Sequence, residues 1–191
     1  ASEVGGDIID DPGLLSEIAN LVENPTVFRG DFDAHYLELP QEVLASVMKK
    51  HQRYFPVIKN GVLLPCFIGV RNGDKDNIDL VIDGNEHVIR ARFSDASYFV
   101  GEDLKQPLES FRPKLALLTF QERLGSMLDK SERIKRIVAD LARPLRLDDR
   151  ETETALRAAH LAKADLATQM VVEMTSLQGV IGREYALRSG E

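Results

Sequence analysis

"VMKKHQRYFPVIKNGVLLPCFIGVRNG", Val47 to Gly73, sets the architecture of the first half of the chain. Its opening reads as the end of a helix closing on Lys49 and Lys50, cations suited to the negative end of a helix dipole. From Arg53 to Ile58 the residues turn extended. "KNG" supplies a hairpin turn, "VLLPCFIGV" returns as a second strand, and "RNG" turns again. Pro65 inside the returning strand predicts an edge position or a bulge, because proline donates no ladder hydrogen bond. The stretch also raises a functional question. Val47–Val57 packs three cations, a histidine and two aromatics into eleven residues, which suits either a nucleic-acid-binding rim or the solvated end of a helix.

Upstream, "DDPGLLSEIANLVENP" reads as a first helix with Pro12 in its first turn and an apolar face of Leu14, Leu15, Ile18, Leu21 and Val22. Asn24-Pro25 ends it. A short strand is expected at Thr26 to Arg29, and Pro40 opens a second helix whose buried stripe is Val43, Leu44, Val47 and Met48. The start, "ASEVGGDIIDDPG", is expected to be a loose tail; it lacks the basic and apolar regions of a signal peptide.

Downstream, "GNEHVIRARFSDASYFV" resumes helical spacing, with Ile89, Phe93, Ala96 and Val100 on one face and Arg90 and Arg92 directed elsewhere. After "QPLESFRPK" the strand signals stop. "LALLTFQERLGSMLD" and "KSERIKRIVADLARPL" are expected to be helical, the latter opened by an Asp129/Glu132 capping box. "DDRETETALRAAHLAKADLATQMVVEM" reads as one longer helix, and "GVIGREYALRS" as another. The expected class is α+β: a mixed domain over residues 1–110 and an all-helical domain over 111–191.

The chain has 191 residues, 43% of them hydrophobic and 29% charged, enough for a packed core. A formal charge of −7 argues against a generally basic nucleic-acid coat, though not against a local patch. Cys66 is the only cysteine, which rules out an internal disulfide or a thiolate metal cluster and suits a reducing compartment. No run of about 18 apolar residues is present, so no membrane span is expected.

Chemistry-bearing motifs are sparse. There is no phosphate loop, no G-x-G-x-x-G, no H-E-x-x-H and no G-x-S-x-G. His35, His51, His87 and His160 are scattered. His160 and Asp165 lie five residues apart, which on one helix separates the side chains by about 140° and keeps them from gripping one ion. Asp165 is expected to pair with a cation or to cap a neighbouring element. No catalytic or metal-ligating residue is assigned. The basic residues Lys49, Lys50, Arg53, Arg71 and Lys75 are expected to lie close together if the hairpin folds as read, with Arg90 and Arg92 on the same face and Tyr54 or Phe55 available for stacking. The alternative is that Phe55 is core, Tyr54 packs at an edge and the cations solvate a rim.

Five segments together resemble the beta subunit of the bacterial-type, two-subunit glycyl-tRNA synthetase: "LPQEVLASVMKKHQRYFPV", "LLPCFIGVRNGDKDN", "GNEHVIRARFSDASYFVGEDLKQPLE", "FQERLGSMLDKSERI" and "KADLATQMVVEMTSLQGVIGREYA". The resemblance runs in register from about Leu14 to Glu191. It implies a cytoplasmic ligase in which the alpha subunit activates glycine with ATP and Mg and joins it to the tRNA end. The beta subunit then contributes tRNA recognition. The implied partners are the alpha subunit, tRNA(Gly) and the remaining beta-subunit domains, with no membrane partner. Such subunits are several times longer, so the chain is expected to be an interior fragment, inactive in isolation and holding no cofactor of its own. The resemblance also implies a B3/B4-like domain followed by an HD-like one. "HLAKADL" lacks the adjacent His-Asp pair of HD phosphohydrolases, which sets it apart from hydrolase activity. Two other readings stand beside the ligase: a metal-dependent HD phosphohydrolase and a purely structural interaction module. The tRNA-binding candidates are Lys49, Lys50, Arg53, Tyr54, Arg71, Lys75, Arg90 and Arg92.

Overall fold

A computed structural model describes Ala1 and residues 4–191. The chain divides into two compact units, Ala1–Tyr98 and Phe99–Glu191.

The first unit is built on an antiparallel sheet of four strands: β1 (Asp7–Ile8), β2 (Pro25–Asp31), β3 (Phe55–Lys59) and β4 (Val62–Asn72), in the order β1-β3-β4-β2. The hairpin read from "KNG" is present. Asn60 and Gly61 both take positive φ, 52° and 81°, as a tight turn requires. The N-terminal tail is not loose: Asp7 and Ile8 pair with Ile58 and Val57. β4 is an inner strand, so Pro65 is not at an edge. The β3–β4 register shifts beside it, between Pro56 opposite Phe67 and Ile58 opposite Leu63, and the bulge absorbs the missing donor.

Helices cover both faces. α1 (Pro12–Leu21) begins at Asp11, whose side chain accepts from the Leu14 N–H at 3.0 Å. Leu14 and Ile18 pack with Phe55, Val57, Cys66 and Ile68 on one face of the sheet. Leu15 and Leu21 are exposed, so the apolar face of α1 is narrower than its sequence suggests. α2 (Gln41–Gln52) buries Val43, Leu44, Val47 and Met48 as read. α3 (Ile78–Asp103) begins upstream of Gly84 and buries Ile89, Phe93, Ala96 and Val100. On the sheet face opposite α1, Phe93 meets Phe32 and Tyr36 at ring-centroid distances of 4.9 and 5.4 Å.

Two glycines shape that face. Gly30 lies opposite Phe67 across β2 and β4, and Gly69 lies opposite Phe28. A Cβ built on either would sit 2.3 Å from the facing ring. The absent side chains let both rings lie against the sheet, where they meet edge to face at 6.4 Å.

The second unit departs from the all-helical expectation. After a 3-10 segment, Leu108–Leu117, the chain forms a small hairpin of β5 (Thr119–Gln121) and β6 (Gly125–Ser126). Gln121 Oε1 accepts from the N–H groups of Arg123 and Leu124, and Gly125 takes φ 79°, so a turn replaces the expected helix. α4 (Met127–Ala142) is opened by a capping box of Ser126 and Asp129, three residues upstream of the one read from Asp129 and Glu132. The long helix over 148–174 is broken. α5 (Asp149–Leu161) ends before Lys163, which is left-handed at φ 74°. A 3-10 turn, Ala164–Ala167, and α6 (Gln169–Glu173) follow. α7 (Val180–Arg188) starts after Gly179. Among the described residues no helix is long and apolar enough to cross a membrane.

Gly69→Ala forces a methyl group into the Phe28 ring and should destabilise the first unit by roughly 1–3 kcal/mol, the usual cost of overpacking. Urea unfolding of the wild type and the variant measures this; an unchanged midpoint contradicts the packing assigned to that ring.

Candidate nucleic-acid interface

The basic cluster is assembled by the way α2 stops. Arg53 adopts a left-handed conformation, φ 55°, and its N–H returns to the carbonyls of Lys49 and Met48. Tyr54 N–H donates to the Met48 carbonyl at 2.9 Å, and the chain then enters β3. Because Phe55 pairs with Ile68, the end of α2 lies at the sheet end where β4 finishes in Val70–Asn72. Lys49, Lys50, Arg53, Arg71 and Lys75 are therefore carried to one end of the sheet.

Most of these cations already have partners. Lys49 Nζ is 2.9 Å from Asp11 Oδ2, and Arg53 Nε donates to Glu17 Oε1 at 2.6 Å, so α1 supplies carboxylates to both. Arg71 donates to the Asp76 carbonyl at 2.7 Å and stands 3.8 Å from Asp74. Lys50 and Lys75 are exposed. The Leu14 N–H, and then Lys49, hold the Asp11 carboxyl below its ordinary value of 3.8. Such half-exposed pairs are weak in water and can exchange a carboxylate for a phosphate at small cost.

Arg90 and Arg92 do not join this cluster. Tyr36 OH donates to the Arg90 carbonyl at 3.3 Å, and the Arg90 charge reaches Asp33, beyond the far end of β2. Arg92 lies two residues on, about 200° around α3. Tyr54 is buried: its ring stacks on Phe67 at 4.3 Å with a 19° interplanar angle, and its hydroxyl donates to Asn85 Oδ1. Burial pushes its phenol up to about 12. Phe55 is core, as its alternative reading had it.

In the second unit, His160 and Asp165 are engaged separately. His160 Nε2 meets Glu109 Oε1 at 2.7 Å, Glu109 also takes Arg157 at 2.9 Å, and the His160 carbonyl accepts from Arg112 Nε at 2.9 Å. His160 and Arg157 together hold the Glu109 carboxyl below the usual range. Asp165 is buried and accepts from the Gly179 N–H at 2.5 Å, capping the entry to α7. This is the neighbouring-element cap expected from the sequence. Among the described residues no three His, Cys, Asp or Glu side chains are grouped to hold a metal ion.

Sequence reasoning missed the residues that organise this unit. Asp103 is buried and accepts from the N–H groups of Gln169 and Met170 at 2.8 and 2.9 Å and from Tyr185 OH at 3.1 Å. Burial, and then Asp103, raise the Tyr185 phenol well above its normal value. Thr168 caps α6 through the Val171 N–H, a threonine before an apolar run that was a readable start signal. Asp103 offered no local signal, because its partners are far along the chain.

A family model described as glycyl-tRNA synthetase beta subunit matches residues 1–191. The chain belongs to that family. It is 51% identical over 191 residues to the glycine–tRNA ligase beta subunit of Clostridioides difficile strain 630, an alignment covering 100% of this chain and 28% of that one. The corresponding protein of Oceanobacillus iheyensis is 51% identical over 189 residues, covering 99% and 27% of the two chains. That of Gloeothece citriformis is 47% identical over 197 residues, covering 100% and 28%. The chain thus spans little more than a quarter of the length of the curated relatives it matches.

The depressed Asp11 carboxyl contributes stability that is fully present above its unfolded pKa and lost as pH falls through the lower folded one. Asp11→Asn should flatten the acid limb of the stability profile below about pH 4, the ordinary range of aspartate; urea midpoints between pH 2 and 6, taken as roughly spanning that range, measure it. Asp103→Ala strips α6 of an acceptor and should cost about 3 kcal/mol. Hydrogen exchange at Gln169 and Met170 reports it directly, and unchanged protection rules out the capping role.

Proposed function

We propose that the chain is the part of a glycine–tRNA ligase beta subunit that supports tRNA recognition and holoenzyme assembly, while glycine activation with ATP and Mg and transfer to tRNA(Gly) take place on the alpha subunit. The family match across every residue of the chain carries this reading. Its partners are accordingly the alpha subunit, tRNA(Gly) and the other beta-subunit domains, in the cytoplasm.

The distribution of charge supports a division of labour within the chain. Lys49, Lys50, Arg53, Arg71 and Lys75 gather at one sheet end, and three of them rest on carboxylates at half-exposed sites. A phosphate backbone offers these cations equivalent oxygens and releases counterions on contact. Tyr54 serves the core beneath them and keeps the end of α2 in place. Arg90 and Arg92 act, if on RNA, at a separate place.

The acidic and imidazole groups of the second unit support the same reading. Asp103 and Asp165 accept backbone N–H groups at helix starts, and His160 is tied to Glu109. These groups hold the fold, and a phosphohydrolase built on them would have to give up those bonds.

Two measurements on the full-length beta subunit test the proposal. Alone, it should give no glycine-dependent ATP–pyrophosphate exchange, and exchange should appear on adding the alpha subunit; exchange by the beta subunit alone overturns the assignment of catalysis. Replacing Lys49, Lys50 and Arg53 by Ala in the holoenzyme should weaken tRNA binding and reduce the slope of log affinity against log salt by roughly one unit per lost phosphate contact. An unchanged slope assigns these cations to packing alone.

A further inference from the structure

Arg53 is held at both ends. Its backbone is pinned where α2 stops, at φ 55°, with its N–H on the Lys49 and Met48 carbonyls. Its side chain is tethered through a single nitrogen, Nε, which donates to Glu17 Oε1 at 2.6 Å. Among the described residues Nη1 and Nη2 take no hydrogen bond, and the side chain is 48% exposed. A guanidinium grips an anion with two donors at once, along its Nε–Nη edge or along the edge of its two Nη groups. Glu17 occupies the first edge and leaves the second open.

The tether is itself anchored. Glu17 stands on α1 between Leu14 and Ile18, both buried against the sheet. At the start of the same helix, Asp11 is fixed by the Leu14 N–H at 3.0 Å and takes Lys49 Nζ at 2.9 Å. Arg71, the other arginine of the cluster, is placed differently. Its Nη1 donates to the Asp76 carbonyl and its Nη2 stands 3.8 Å from Asp74, so its own terminal edge is in use.

We propose that Glu17 is a positioning residue for Arg53, turning the guanidinium so that its Nη1/Nη2 edge receives one RNA phosphate as a pair of hydrogen bonds. The inference rests on the reading of this cluster as a tRNA contact and divides the roles within it. Lys49 and Lys50 act as point charges, whereas Arg53 supplies a planar fork whose geometry matches two phosphate oxygens. An arginine already fixed at its backbone and at Nε loses less rotamer freedom on binding than a free one. Arg53 therefore has no need to exchange its carboxylate for the phosphate and can hold both.

Glu17 also subtracts a charge from the cluster, and its removal strengthens attraction to phosphate whatever the geometry. Gln and Ala at position 17 lose that charge equally and differ in the acceptor they offer Nε. Both suit an exposed helix position. The test measures tRNA(Gly) binding to the holoenzyme over a series of salt concentrations. Glu17→Ala is expected to bind about threefold more weakly than Glu17→Gln, the scale of one exposed pair, with the same salt slope. Arg53→Lys keeps the charge and loses the fork; it should weaken binding by a similar factor beside Glu17 and hardly at all in the Glu17→Ala background. Equal affinities for Glu17→Gln and Glu17→Ala, or an Arg53→Lys loss identical in both backgrounds, overturn the positioning role and leave the RNA contact standing. Unchanged affinity and slope in Arg53→Ala removes the contact itself, and the positioning role with it.

Discussion

Two phenyl rings occupy the space left open above glycines of neighbouring strands, and the first unit is organised around them. Phe28 covers Gly69, Phe67 covers Gly30, and Tyr54 stacks on Phe67 from the end of α2. A side chain at either glycine would lift a ring and with it the helices resting on that face. The opposite face is filled by mixed apolar packing of Phe55, Val57, Cys66 and Ile68 against α1. The sheet therefore has one face set by shape and one set largely by apolar area, and close complementarity is more sensitive to change than bulk burial.

The segment from Val47 to Val57 serves both sides of the question its sequence raised. Its apolar residues and Tyr54 turn inward, and the left-handed Arg53 ends the helix so that Tyr54 can reach Phe67. Lys50 is left in solvent, while Lys49 and Arg53 rest on Asp11 and Glu17. A segment can thus be core and charged rim together, because the helix period separates the two sets of side chains.

What was legible in the sequence followed local rules. Periodicity found α1, α2 and most of α3, and the glycine turn found the β3–β4 hairpin, since each depends on residues a few positions apart. Asp7–Ile8 was missed because a two-residue strand has no period and is defined by its partner β3. The hairpin at Thr119–Ser126 was hidden within an apolar run that satisfies either period. The helix expected over 148–174 broke where Lys163 turned left-handed, a conformation lysine does not advertise. The basic cluster was legible as far as the hairpin carried it. The burial of Tyr54 and the distance of Arg90 from the cluster depended on packing against α3, which no local spacing encodes.

The caps at Asp103 have a consequence for how the second unit acquires its structure. Helical domains usually fold fast because their contacts are close in sequence. Here one carboxyl receives Gln169, Met170 and Tyr185 across separations of 66, 67 and 82 residues. The short α6 would be marginal alone. Its first turn is completed by a carboxyl that only a large closed loop brings into place, so α6 depends on a long-range contact within a largely helical unit.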